Sequence, residues 1–388
     1  MGGRYKWDEQ TLVDAQPQTL VVAKPPNSTV INYPFSSDLI LREHYRSPWG
    51  EVRLGRVLED LDSLAGYVAY DHCDDGDATT RPPLLVTAAV EAIHFRASSR
   101  LGLQEDMQVS GRVVWTGRSS LDVCMELQQA GRRELIALFT FAARDGLSLK
   151  AHPINQLQPQ NPEDRRWCEE RQRVAEERKA ARAAAQPTGE ALHTGTQQQR
   201  QWAEDLLEQG RTKADLVALA DPHSILMPET GLENTFTCMP QQRNMHGRVF
   251  GGFLMRRAYE LAHSTAYLFA GTRPQAVEVG EISFQKPVDV GDLIKFKSCV
   301  LHAWQAAQDP GKGFARVQVQ ASVTQPEKLH RYVTNTFNFD FSFTLRTDQD
   351  GQPVLPKRVL PVTEEAALEV AKYFGPSAKP SNGFLKLF

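Results

Sequence analysis

The sequence predicts an α+β chain made of two tandem copies of one unit, each a central helix followed by an antiparallel sheet. Three observations carry this. Ser47 to Ala65 lies on Asn244 to Ala262 without a gap, sharing Gly50/Gly247, Val52/Val249, Gly55/Gly252, Leu64/Leu261 and Ala65/Ala262. In each copy a segment with apolar residues at helical spacing is followed by a series of strand-like runs, an order that segregates helix from sheet. At 388 residues the chain is also too long for one ordinary domain and suits two or three.

Residues 1–37 contain Pro and Gln, show little periodicity, and read as an extended N-terminal arm. The first unit is placed at 38–156. A helical pattern from Leu41 leads to Arg46-Ser-Pro-Trp-Gly50, where Pro48 and Gly50 mark a turn. Val57, Leu58, Leu61, Leu64, Ala65 and Val68 then recur at helical spacing. Residues 71–83 are Asp-rich, end in Pro-Pro and form a loop. Strand-like runs follow at Leu85 to Phe95, Met107 to Gln128 (one strand, or two split near Thr116-Gly117) and Glu134 to Arg144.

Residues 157–224 change character. Asp164 to Ala185 is rich in Glu, Arg and Ala and favours a helix whose polarity places it on a surface or between domains. A Gln-rich stretch at 197–201 precedes a second helical segment, Ala203 to Leu219. This zone reads as a connector and not a core, or alternatively as a partner-binding helix. The second unit, 225–350, replays the first. Asn244 to Ala262 forms a turn and helix. Strands are expected at Ala276 to Phe284, Leu293 to Ala306, Gly313 to Val323 and Arg331 to Leu345. Val279-Gly-Glu-Ile-Ser-Phe284 echoes Val90-Glu-Ala-Ile-His-Phe95. Residues 351–388 are left as a C-terminal tail.

The formal net charge of −3 does not suggest a nucleic-acid partner. No apolar run reaches transmembrane length. The five cysteines, Cys73, Cys124, Cys168, Cys238 and Cys299, are scattered and form no C-x-x-C pair, so neither a zinc site nor a disulfide framework is expected. Reduced thiols in an intracellular compartment are the simplest account. The N-terminus carries acids and no apolar core, unlike a secretory signal or a transit peptide. No P-loop run is present.

The segment richest in chemistry runs from Asn244 to Ala262. Asn244 stands seven residues before Gly251. The Gly251-Gly252 pair lets backbone approach a ligand closely, because no Cβ blocks it. The helix that follows points N–H groups and the positive end of its dipole at whatever lies there, which can hold the oxyanion that develops on a carbonyl. The plain alternative is a tight turn with a satisfied Asn.

This segment resembles the active-site helix start of hotdog-fold acyl-CoA thioesterases, with their Asn-x-x-Gly-x-x-x-Gly-Gly pattern, and Phe250 to Ala262 is similar to the acyl-coenzyme A thioesterase 9 group. The resemblance covers most of 35–150 and 225–350. It implies two hotdog units forming a pseudo-dimer within one chain, further association into a trimer of such chains, an acyl-CoA substrate, no cofactor or metal, and a mitochondrial matrix location, with the cytoplasm as the alternative. A hotdog thioesterase works at the seam of two units, one giving the Asn and a glycine amide, the other an acid eight residues beyond the first-glycine position.

The second half keeps Asn244, Gly251 and Gly252, but Tyr259 stands at the acid position. Glu260 is adjacent and falls nearly opposite the stripe of Met255, Ala258, Ala262, Thr265 and Phe269. The first half is the complement: Ser47 replaces the Asn, Leu54 the first glycine, and Asp62 takes the acid position. Asp62 lies at the edge of the Leu58-Leu61-Ala65-Val68 stripe, where a half-buried carboxylate can activate water or attack a thioester. One complete set follows: Asp62, Asn244 and Gly251 as catalytic residues. Gly252, Lys286 and Arg96 are candidates for binding CoA. Several rivals stay open. Asp62 could be a surface carboxylate, Asp60 the acid under a slipped register, Asn244 a turn cap, and His246 a base. A catalytically silent subunit serving as a scaffold in a larger assembly is the alternative function, separable by thiol release from acyl-CoAs.

Overall fold

The computed structural model describes residues 16–19, 21–77, 79–96, 100–184, 196–216, 218, 221–244 and 247–375. Two compact units divide the chain, Met1–Gln186 with Ser283–Gln285, and Pro187–Ile282 with Lys286–Phe388.

The first unit contains strand β1 (Ser28–Tyr33), helices α1 (Leu39–His44) and α2 (Leu54–Cys73), strands β2 (Leu84–Phe95), β3 (Met107–Thr116), β4 (Ser120–Gln129) and β5 (Arg132–Arg144), and helix α3 (Pro162–Ala184). The strands form an antiparallel order β2-β5-β4-β3-β1. The expected run from Met107 to Gln128 is therefore two strands, broken at 117–119 as one of the two readings had it. Ala130 and Gly131 join β4 to β5 with φ of 51° and 70°. Two consecutive residues at positive φ make the hairpin turn whose twist matches the strands.

Helix α2 lies against this sheet because its stripe is continuous. Leu58, Leu61, Ala65 and Val68 are all fully buried. The N-terminal stretch read as an arm contributes to the fold, since β1 hydrogen-bonds along β3 from Ser28↔Arg112 to Tyr33↔Met107. Residues 1–15 of the arm fall outside the described residues.

The expectation that the 164–185 helix is a polar connector needs correction. In α3, Asp164, Trp167 and Arg171 are buried. Arg171 Nε donates to Asp122 Oδ2 at 2.7 Å, and its Nη atoms fork onto the Glu91 carboxylate. Arg178 adds a 2.6 Å bond to Glu91, and Thr140 Oγ1 a 2.8 Å bond to Asp122. Arg112 of β3 meets Glu163 and Asp164. The helix docks through charge and not through an apolar stripe, so periodicity carried no sign of it. Buried arginine is tolerated because each of its three guanidinium nitrogens meets a carboxylate.

The second unit contains α4 (Gln197–Asp215), β6 (Ser224–Leu226), β7 (Leu232–Thr237), α5 (Gly251–Ala270), β8 (Gln275–Val279), β9 (Leu293–Gln305), β10 (Lys312–Gln325), β11 (His330–Thr344), β12 (Arg358–Leu360) and α6 (Glu364–Phe374). Its antiparallel order is β8-β11-β10-β9-β7. With β7 matched to β1, α5 to α2, and β8 to β11 matched to β2 to β5, the strand order is the same as in the first unit. Both central helices are 20 residues long. The expected strand from Ala276 to Phe284 is split, with β8 ending at Val279 and a short Ile282–Ser283 piece after it.

The connector and tail are also structured here. Strand β12 pairs in parallel with β6. Helix α6 packs on α4 through Ala203, Leu207, Ala367 and Ala371, all buried. Residues 185–195 and 376–388 lie outside the described residues. On β10 and β11, Arg316 and Asp340 form a forked ion pair at 2.6 and 2.5 Å. The guanidinium lies 4.8 Å from the Tyr373 ring and 5.3 Å from the Phe374 ring of α6. Among the described residues no helix is long and apolar enough to cross a membrane.

The α4–β12 contact depends on Gly210, where a Cβ would lie 1.9 Å from the Pro361 carbonyl oxygen. Backbone must move to admit it. Gly210→Ala should therefore lower stability by about 1–3 kcal/mol, the scale of overpacking, despite alanine's better helix propensity. Thermal unfolding, with limited proteolysis of the C-terminal segment, checks this. An unchanged or raised midpoint would show that α4 does not seat as described.

Candidate active site

Both central helices begin from one turn built twice. Ser47 N–H donates to Glu51 O at 2.8 Å, and Asn244 N–H to Arg248 O at 2.6 Å. Gly50 and Gly247 donate to the carbonyls of Ser47 and Asn244 at 3.0 and 3.1 Å. They sit at φ +74° and +78°, a conformation that glycine adopts without strain. The side chain at the head of the turn accepts from the residue four positions on. Ser47 Oγ takes Glu51 N–H at 3.2 Å, and Asn244 Oδ1 takes Arg248 N–H at 3.2 Å. Asn244 is thus a turn cap. Its acceptor serves its own loop, and what it can offer a carbonyl is the Nδ2 donor.

Helix α5 follows at once. Its N-cap is Phe250, with no side-chain cap bond. Gly251 and Gly252 form its first turn, where N–H groups look out along the axis at the positive end of the dipole. Helix α2 begins in the same uncapped way after Arg53, but with Leu54 and its side chain in the first position. Asn244, Gly251 and Gly252 therefore belong to one continuous turn and helix start, in the second unit.

Asp62 lies on α2 in the first unit and is only 2% exposed. It is not a surface carboxylate. Thr87 Oγ1, from β2, donates to Asp62 Oδ1 at 3.2 Å. Sequence reasoning missed Thr87. The signal that could have found it is the strand repeat: Val90 matches Val279, so Thr87 matches Ala276. The register agrees. Thr87 opposes Phe141 and Ala89 opposes Thr140, while Ala276 opposes Phe341 and Glu278 opposes Asp340, with an irregularity at the same step in each strand. The second unit thus has tyrosine for the acid and alanine for its threonine.

The other acids and cations have different company. Asp60, the slipped-register rival, accepts from the phenols of Tyr45 and Tyr33. Burial pushes its carboxyl up, against the pull of the two phenols, and burial likewise raises both tyrosines. Tyr33 and Tyr45 meet edge to face at 5.5 Å, so Asp60 ties β1 and the end of α1 to α2. Tyr259 is 6% exposed and packs on Phe339 and Phe341 at 5.8 and 5.9 Å. Glu260 is held by Arg256 at 3.2 Å and Arg257 at 3.5 Å.

Arg96, in the first unit, forks onto the buried Glu134 with two 2.9 Å bonds. Lys286, in the second unit, is exposed and its ammonium lies 4.9 Å from the Tyr332 ring centre. His246 falls outside the described residues. Among the described residues no group of three or more His, Cys, Asp or Glu is placed to hold a metal ion.

No family model matches the chain. It is 41% identical over 371 residues to acyl-coenzyme A thioesterase 2, chloroplastic, of Humulus lupulus, covering 92% of this chain and 82% of that protein. It is 34% identical over 315 residues to the human mitochondrial acyl-coenzyme A thioesterase 9, covering 79% of this chain and 69% of that protein. Among solved structures, the acyl-CoA hydrolase of Staphylococcus aureus shares 24% identity over 40% of this chain and 85% of that chain, with a TM-score of 0.32.

The Asp60 contacts predict a structural effect distinct from that of Asp62. Asp60→Ala leaves the Tyr33 and Tyr45 hydroxyls without this acceptor and should lower the unfolding free energy by about 1–3 kcal/mol. Urea unfolding followed by tryptophan fluorescence measures it. A variant as stable as the parent would mean that the tyrosine clamp does not hold α2.

Proposed function

Because the chain belongs to the acyl-CoA thioesterase family, and so hydrolyses acyl-CoA to a free acid and CoA, we propose that Asp62, Asn244 and the Gly251 amide act together on one thioester. The observation that carries this is the complementary loss of chemistry between the repeats. The first unit keeps the acid and its threonine, Asp62 and Thr87, and has Ser47 and Leu54 elsewhere. The second keeps Asn244 and Gly251 and has Tyr259 and Ala276 elsewhere. Two hotdog units in one chain, arranged as an intramolecular pseudo-dimer, would reunite the retained parts. The opposite set, Ser47, Leu54 and Tyr259, would be inactive.

In this reading the thioester carbonyl oxygen is met by the Gly251 N–H, whose position at the helix start suits the negative charge that develops there. Asn244 Nδ2 orients the carbonyl or the water. Asp62 takes the proton of the attacking water, or attacks the carbonyl carbon itself; the C–S bond then breaks and the CoA thiolate leaves and is protonated, and in the second case a water hydrolyses the acyl–Asp62 anhydride to release the acid and restore the carboxylate. Thr87 positions the carboxylate by fixing one of its oxygens. In a single turnover in heavy-oxygen water, label-free acid with label left on Asp62 supports attack by Asp62, and trapping of an acyl group on Asp62 separates the two roles when the acid is labelled. Gly252 lets the backbone approach CoA. Lys286 is a better candidate for the CoA phosphates than Arg96, whose guanidinium already holds Glu134.

The mitochondrial and chloroplastic names of the relatives support an organellar location, and we place it in the mitochondrial matrix. A trimer of double-unit chains is the expected assembly. Light scattering at micromolar concentration should give a multiple of the chain mass, and a single-chain mass counts against the trimer.

Asp62→Asn keeps the shape and removes the charge, and should nearly abolish turnover while leaving CoA binding largely intact. Asn244→Ala should raise the barrier by roughly 2–4 kcal/mol, the scale for a positioned group at an oxyanion site. Thr87→Ala should lower kcat, with Thr87→Ser restoring most of it. Glu260→Gln and Ser47→Ala should do little. Thiol release from a panel of acyl-CoAs reads all of these. Loss of activity in Glu260→Gln with retention in Asp62→Asn would reverse the assignment.

A further inference from the structure

We propose that the acyl chain runs along the first unit's central helix over Gly66, one turn beyond Asp62, and that this glycine sets which chain lengths are accepted; the proposal rests on the thioesterase reading above. The carbon under attack must reach the Asp62 carboxylate. The first carbons of the acyl chain therefore cross one of the residues adjoining Asp62 on the helix surface, three or four positions away. These are Leu58, Glu59, Ala65 and Gly66. Leu58 and Ala65 are fully buried. Glu59 lies 3.9 Å from Arg56. At Gly66 a Cβ would meet nothing within 4 Å. An alanine would fit there and would favour the helix, yet the position is left without a side chain.

Charge along α2 gives the direction. Arg53, Arg56, Glu59 and Asp60 precede Asp62, whereas Ser63 to Tyr70 carries no charged side chain. An apolar chain is repelled from the first stretch by the cost of desolvating charge and accommodated by the second. The far end is marked by Tyr70, whose hydroxyl accepts the Leu85 N–H of β2 at 3.0 Å. Its ring crosses from helix to strand about 12 Å along the axis from Asp62, at the helical rise per residue.

The second unit shows the same position filled. His263 of α5 stands at the position of Gly66, as Tyr259 stands at that of Asp62. The His263 ring lies 6.2 Å from Tyr259, 6.0 Å from Phe341 and 6.5 Å from Tyr267, centre to centre. Phe341 is the counterpart of Phe141 in the strand register. Where the acid is absent, the space beside it is occupied by an imidazole; where the acid is present, it is open.

The test compares Gly66→Leu, Gly66→Ala and Ser63→Leu across acetyl-, hexanoyl-, decanoyl- and palmitoyl-CoA. Ser63 is exposed on the same helix, and its variant puts a leucine outside the path. Gly66→Leu should cut the kcat/KM ratio of the longest accepted substrate over acetyl-CoA by about tenfold or more, the scale for a misfit of a methylene or two. Gly66→Ala should raise the melting temperature and move the ratio the same way by less, and it carries the test if the leucine variant does not fold. Ser63→Leu should leave the ratio unchanged. A fall by one factor at every chain length would place the pantetheine arm there and overturn the proposal, as would an unchanged ratio in Gly66→Leu. If the parent protein cleaves none of the panel, it is the thioesterase reading that fails.

Discussion

Each unit depends on a glycine held at positive φ a few residues before its central helix. Gly50 and Gly247 let the chain close a tight turn with two backbone bonds and one side-chain bond, then enter a 20-residue helix with no side-chain cap. A side chain at that φ would strain the turn. The helix start, with no side-chain cap, lies at the positive end of the dipole. The buried stripe of the helix then orients everything else, since a helix pinned by Leu58, Leu61, Ala65 and Val68 presents Asp62 at the stripe's edge, within reach of β2.

The two units differ at the positions that the proposed mechanism uses. The four paired positions, Ser47/Asn244, Leu54/Gly251, Asp62/Tyr259 and Thr87/Ala276, divide without overlap. In the second unit Tyr259, at the position of Asp62, is buried, and it and His263 pack among Phe339, Phe341 and Tyr267 in tilted and edge-on contacts. Aromatic burial contributes stability at this position.

The outer faces of the two sheets are covered in a related manner. In the first unit Asp122 and Thr140 lie paired across the ladder and receive Arg171 from α3. In the second, Arg316 and Asp340 are the paired residues and α6 supplies Tyr373 and Phe374. Different chemistry serves one need, to keep water from a charge that sits on a sheet. Paired and hydrogen-bonded, such a charge is tolerable inside; with one partner removed it is not.

The sequence by itself determined the two central helices, the strands that follow each of them, and the placement of Asp62 on the first helix and Asn244 in the turn before the second, but not the strands β1 and β7 that precede the helices. Those features rest on local signals: an apolar stripe at helical spacing, alternation along strands, glycines where φ is positive, and an ungapped repeat. It was silent on what depends on contacts between distant segments. Thr87 meets Asp62 across 25 residues, Arg171 meets Glu91 across 80, and α6 meets α4 far along the chain. Helix α3 looked like a solvated connector because charge in a sequence reads as exposure. Only the tertiary structure decided that its arginine is buried, since the partners that neutralise it come from strands that no local pattern links to it.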